Sequence, residues 1–293
     1  MYEKEEMYAG ANQGGREMEV MNGNRVLNKK AVPSFFNMEE ILNENMMLGK
    51  SIQKNSHFGP KNHVGQEELE ESEGLDKSYN HFRSLALASY FKDNTTGNHL
   101  IKTSRYAGYL AKKHGLPSKE IKNISIAALV HDVGKIGIPE SIINKPALLN
   151  RDEIETVRTH TTIGEKILGP SDSDFIKTAK AMALTHHERW DGKGYPFGIS
   201  KHDIPLEGRI CAVADVFEAL TSKRSYKETM SADSAIQIID SDRGKAFDPR
   251  VVDIFRTNID GILKIKNSFD GKEAINVLSK SIFPQGNEIC FVA

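Results

Sequence analysis

The sequence predicts an all-α fold for most of the chain. Apolar residues recur at helical spacing from about Tyr79 onward, helix-start residues precede several of those stripes, and strand signals are scarce. Ile136 to Ile138 is the only weak strand candidate. The elements follow in order. His99, Thr103, Tyr106 and Leu110 share one helical face, and that helix is expected to end near Gly115-Leu116-Pro117. Ser118 then reads as the cap of a second helix, with Ile121, Ile124, Ala128 and Leu129 as its stripe. Ile126, Ala127 and Val130 are also apolar, so this helix should be buried on most sides, running into His131-Asp132 and stopping at Gly134. Asn150 and Glu153 form a capping pair before Ile154, Val157, Ile163 and Ile167. Phe175, Ile176, Ala179, Met182 and Ala183 mark the next helix, Gly208 to Thr221 a strongly apolar one, and Ser231 to Asp240 an amphipathic one.

The first 75 residues have a different composition. They are rich in Asn, Gly, Glu and Met, and five glutamates lie between Glu67 and Glu73, a run that reads as a solvated linker. One helix is expected at 38–48, started by Asn37 and Glu40, with Met38, Ile41, Leu42, Asn45 and Leu48 on its stripe. The predicted organisation is an irregular arm over 1–75, a helical domain over 76–263 and a tail over 264–293.

The 293 residues carry 39 Lys+Arg against 40 Asp+Glu. A protein that grips duplex nucleic acid by counterion release usually has a basic surplus, so a small nucleotide held in a pocket is the better expectation. Cys211 and Cys290 are too few for a disulfide framework and point to a reducing compartment. The longest apolar runs, such as Ile124 to Val130, fall far short of the roughly 20 residues a bilayer requires. The start, Met1-Tyr2-Glu3-Lys4-Glu5-Glu6, is polar and acidic, unlike a signal peptide. These features predict a cytoplasmic protein with no membrane contact.

Several of the ten histidines fall on faces that should point inward. His99 shares its face with Tyr106 and Leu110. His186 continues the stripe of Ala179, Met182 and Ala183, and His187 lies four residues after Ala183. His131 and Asp132 end a buried helix, and Asp215 sits amid Ile210 to Phe217. A buried carboxylate costs several kcal/mol unless a cation or hydrogen bonds compensate it. A lone inward histidine is usually a hydrogen-bonded core residue; two adjacent pairs together with Asp215 are compensated best by sharing metal ions. Mixed His and Asp donors suit iron, manganese, zinc or cobalt and argue against calcium. Lys193 lies between two glycines, but no Gly-x-x-x-x-Gly-Lys-[Ser/Thr] pattern surrounds it, which excludes a phosphate loop there.

At these residues the chain resembles the HD-GYP family of metal-dependent phosphohydrolases. The carriers are His131-Asp132-Val133-Gly134-Lys135, His186-His187-Glu188-Arg189-Trp190-Asp191-Gly192-Lys193-Gly194-Tyr195-Pro196, Ala214 to Ser222, and Phe247-Asp248-Pro249. The resemblance spans roughly Leu75 to Leu263. It implies an HD-domain helical bundle with a GYP loop. It also implies metal ligands at His99, His131, Asp132, His160, His186, His187 and Asp215, with Asp132 bridging two ions. His131, Asp215 and His99 would complete one shell, and His160, His186 and His187 the other. Catalysis would centre on His131, Asp132 and Lys135, with Lys135, Arg224 and Lys227 as substrate-side cations.

The implied activity is hydrolysis of cyclic di-GMP to linear pGpG or on to GMP. Two ions about 3.5–4 Å apart would activate a water and clamp the phosphate. Iron is the first choice of metal and manganese the second. A third ion is not expected, because Thr95 stands where three-metal members have Glu. Glu218 and Ser225 replace a common Asp and Pro, with no expected effect on a ligand. Tyr195 is placed to stack on a base, to dock a protein partner, or to cover the edge of the core. Two other readings stay open: hydrolysis of another cyclic dinucleotide or nucleotide, and a non-catalytic cyclic di-GMP-binding adaptor. Oligomeric state is not legible.

Overall fold

Residues 81–92, 97–222 and 229–268 are described by the computed structural model, and all fall in one of two compact units, the one that takes in residues 74–293. The arm, its expected helix at 38–48, Thr95, Arg224, Ser225, Lys227 and the last 25 residues lie outside the described residues. Among the described residues the fold is all-α, and the single β-bridge, Arg243 to Phe247, closes a turn.

Residues 81–92 form α1. Helix α2 (Gly97–His114) ends where Gly115 takes φ +90°, a left-handed conformation that glycine adopts without a Cβ penalty. Helix α3 (Ser118–Ala127) differs from expectation at both ends. Pro117, not Ser118, occupies the cap position, and the α-helix stops at Ala127 instead of running to His131. Beyond it the backbone tightens, with Leu129 N–H donating to Ile126 and Val130 N–H to Ala127. A 3₁₀ helix (Val133–Gly137) follows where the weak strand signal lay.

Helix α4 is the short Glu140–Ile143. Asn150 caps α5 (Arg151–Arg158) through the full capping box expected of it, its Oδ1 accepting from Glu153 N–H and Glu153 Oε2 accepting from its own N–H. The stripe from Ile154 to Ile167 is split, since a break at Thr159 separates α5 from α6 (His160–Leu168). Helix α7 (Asp174–Thr185), a second 3₁₀ turn (Lys201–Asp203), α8 (Leu206–Thr221), α9 (Ala232–Ser241), α10 (Pro249–Thr257) and α11 (Ile259–Asn267) complete the order. Ser231 caps α9 as expected. Helix α11 runs through Leu263, where the sequence reading ends the domain, and buries Ile262 and Ile265.

Two helices organise the core. Helix α2 packs against α3, α8, α10 and α11, while α8 packs against α2, α7, α9 and α10. Helix α8 is buried almost all round, as its continuous apolar sequence requires. Phe217 on α8 meets Tyr106 of α2 at 5.4 Å between ring centroids and Phe255 of α10 at 5.2 Å, both edge-on. Each such fully buried ring contributes on the order of 1.5–3 kcal/mol. Because α2, α3, α7 and α8 pack on one another, the histidines and carboxylates they carry converge at one place.

Candidate metal centre

All seven expected ligands are buried and face one another. His99 comes from α2 and Asp215 from α8. His131 and Asp132 occupy the tight turns after α3, His160 opens α6, and His186 and His187 follow the end of α7. The donors fall into two groups whose ligand atoms lie within 4.8 Å of one another: Asp132, His160, His186 and His187 in one, His99, His131 and Asp215 in the other.

Asp132 faces both groups. Its Oδ1 lies 3.3 Å from His160 Nε2 and 3.5 Å from His186 Nε2, whereas its Oδ2 lies 3.3 Å from His131 Nε2. Asp215 Oδ1 is 3.5 Å from His99 Nε2 and 3.7 Å from His131 Nε2. Backbone carbonyls fix the orientation of three rings. Nδ1 of His131 is 2.7 Å from Ala128 O, that of His160 is 2.7 Å from Val157 O, and that of His186 is 3.0 Å from Met182 O. A carbonyl only accepts, so each Nδ1 carries a proton and each Nε2 is the atom left facing the cluster.

The donor set fits divalent transition-metal ions. His99 Nε2, His131 Nε2 and Asp132 Oδ1 are fully buried yet have no hydrogen-bond partner. Buried polar atoms are nearly always paired, and these three point to the centre of the cluster, where a cation would satisfy them. His160 Nε2 and His186 Nε2 also approach to 3.4 Å, two lone pairs converging on one place. The field across the cluster is uneven. Burial opposes a charge on His131, but Asp132 and Asp215 outweigh it and push the imidazole up to about 10, so a cation at Nε2 would have to displace a proton there. Burial alone would raise Asp132; Lys135 and His131 outweigh it and hold the carboxyl well below its usual range. Burial drives His160 the other way, holding it neutral.

Lys135, expected on the substrate side, is buried and donates to Asp132 Oδ2 at 2.7 Å. Tyr195 stacks on His187 with centroids 4.7 Å apart and planes 17° apart, and the Arg158 guanidinium lies 5.2 Å from its ring centre. These contacts tie the Gly194-Tyr195-Pro196 loop to the wall of the site. Gly194 is there for lack of space, since a Cβ would meet Arg189 N at 2.4 Å.

Two residues were missed. Glu188 is buried, and its Oε1 accepts from the N–H groups of Phe197 (2.8 Å) and Gly198 (3.2 Å), anchoring the loop. Glu218, expected to touch no ligand, hydrogen-bonds Nδ1 of His99. Its spacing, three residues after Asp215 on the same helix, was the available signal.

Residues 77–251 match the sequence profile of the HD domain. The chain is a member of the HD domain family. HD-domain phosphohydrolases are metal-dependent, in keeping with the buried His/Asp groups. The chain is 46% identical over 169 residues to the cyclic di-GMP phosphodiesterase response regulator RpfG of Xanthomonas campestris pv. campestris, covering 58% of this chain and 45% of that protein. It is 42% identical over 171 residues to a cyclic di-GMP phosphodiesterase of Thermotoga maritima, covering 58% and 46%. A 3′3′-cGAMP-specific phosphodiesterase of Vibrio cholerae is 38% identical over 185 residues, covering 63% and 35%. This HD-domain chain spans less than half the length of each of these relatives. No helix among the described residues is long and apolar enough to cross a membrane.

Proposed function

We propose that the chain is a metal-dependent phosphodiesterase that hydrolyses cyclic di-GMP to linear pGpG in the cytoplasm. The observation that carries this reading is Asp132, a buried carboxylate whose two oxygens face two separate groups of nitrogen donors. His131, Asp215 and His99 would hold one ion and His160, His186 and His187 the other, with Asp132 shared. Iron is the first candidate and manganese the second, on the ground of the mixed His and Asp donors. When bound, two such ions supply Lewis acidity toward a phosphate oxygen and an acidified water.

The protein's own groups do the rest. Lys135 holds Asp132 in its orientation by a charge-assisted hydrogen bond. Arg224 and Lys227 would neutralise the phosphates, and Tyr195, braced by His187 and Arg158, would line the entrance or dock a protein partner. The division into an arm (1–75), a catalytic domain that begins at 76 and closes with α11, and a tail after it belongs to the same proposal. Thr95 at the place of the third-metal Glu favours pGpG as the end product.

The test is incubation of iron- or manganese-loaded full chain with cyclic di-GMP, with the products separated by chromatography. Linear pGpG is expected, and Asp132→Ala should abolish it. No linear product with either metal would overturn the reading. A second substrate, 3′3′-cGAMP, is suggested by the Vibrio cholerae relative. Faster turnover of that nucleotide under the same conditions would reassign the substrate and leave the centre intact.

A further inference from the structure

His99 differs from the other oriented histidines of the cluster. His131, His160 and His186 direct Nδ1 at backbone carbonyls, which are neutral. Nδ1 of His99 instead meets a carboxylate oxygen of Glu218, 119 residues away in the chain. Glu218 is 1% exposed, and its other oxygen accepts from the hydroxyl of Ser222, one turn later on the same stretch of chain. An ionised carboxylate only accepts, so the proton sits on Nδ1 of His99 and Nε2 is left as a lone-pair donor. That Nε2 is buried, has no hydrogen-bond partner and lies 3.5 Å from Asp215.

We propose that Glu218 is the positioning residue of the His99, His131 and Asp215 group. It locks the His99 tautomer and ring orientation, and its negative charge raises the affinity of that group alone for a divalent cation. A carboxylate behind a ligating imidazole makes the donor nitrogen more basic, and losing such a partner typically lowers metal affinity by about 10–100-fold. Nδ1 of His131, His160 and His186 meets a backbone carbonyl instead, whereas Glu218 hydrogen-bonds His99, so its effect is expected on the group to which His99 belongs. Asp215 and Glu218 are three residues apart on α8, so one helix face supplies both a ligand and the support for a ligand on α2.

The proposal rests on the two-ion reading of the centre, and the experiment separates the two. Metal-stripped full chain is titrated with manganese by calorimetry, in the natural sequence and as Glu218→Gln and Glu218→Ala. Gln is nearly isosteric; its carbonyl can accept from His99 Nδ1 and its amide can donate to Ser222, so the charge is removed with the fold kept. Two binding events are expected for the natural chain. In Glu218→Gln one event should weaken about tenfold and the other stay unchanged, with the melting temperature of the metal-free protein also unchanged. Glu218→Ala should weaken the same event further, toward 100-fold. Equal affinities in all three chains, or equal weakening of both events, would overturn the role given to Glu218 while leaving two ions in place. Fewer than two events in the natural chain would overturn the two-ion centre itself, and this role with it.

Discussion

A Cβ at Gly134 would meet the carbonyl oxygen of His160 at 1.8 Å and Gly164 N at 2.5 Å, so the 3₁₀ helix Val133–Gly137 and the first turn of α6 touch backbone to backbone. Gly134→Ala must push them apart. The expected cost is about 1–3 kcal/mol in urea unfolding, together with weaker metal binding, because His160 is one of the displaced groups. Unchanged stability would show that the backbone yields there at little cost. At this scale the sequence was most informative. Five of the seven candidates stand out in the residues themselves, because the adjacent pairs His131-Asp132 and His186-His187 and Asp215 break apolar stripes where no local compensation is available; His99 shares an inward face, and His160 enters only through the family resemblance. Glu218 was not legible, because a carboxylate inside α8 has two satisfactory fates, solvent or a partner, and only the approach of α2 decides between them. The bond from Lys135, expected as a substrate-side cation, to Asp132 was not legible for the same reason, since it depends on the tight turn after α3.

Element boundaries follow backbone hydrogen bonding that periodicity cannot resolve. The apolar run from Ile124 to Val130 reads as continuous helix, yet the bonds shift from four-residue to three-residue spacing after Ala128, which turns His131 and Asp132 toward the cluster. Ile136 to Ile138, the weak strand candidate, begins instead inside the following 3₁₀ helix, Val133–Gly137. Caps were easier to read, since they need only one side chain at one offset. Asn150→Ala removes the capping box of α5 and should cost about 1 kcal/mol in urea unfolding, with metal binding retained. The Phe247-Asp248-Pro249 segment proves to be structural in its contacts. Asp248 caps α10 through Arg250 N–H and pairs with Arg209 of α8 at 2.5 Å, with Arg209 also held by Ile204 O. Asp248→Ala should therefore destabilise by about 3–5 kcal/mol in denaturant titration, because it strands a largely buried guanidinium. A loss below about 1 kcal/mol would contradict that account.

For the whole molecule, the all-α class was legible in the spacing of apolar residues, and the packing of α2 against α8 follows from their apolar faces. The arm offers a single helical stripe, at 38–48; a chain begun near Leu75 that turns over at the full-length rate would rule out gating by the arm. The centre draws its donors from α2, the turns after α3 and α7, the start of α6 and the middle of α8, so a bound ion would tie together parts distant in sequence. Ligand linkage then predicts that saturating manganese stabilises the fold. At about 100 times the dissociation constant the gain is about 2.7 kcal/mol, or roughly 5–10 °C in melting temperature, reversed by chelation. The most direct test of the central claim is elemental analysis of full chain purified without air, beside Asp132→Ala. Two transition-metal ions per chain are expected in the natural protein and fewer than one in the variant. Less than one ion in the natural chain, or an equal count in both, would contradict a two-metal centre built around Asp132.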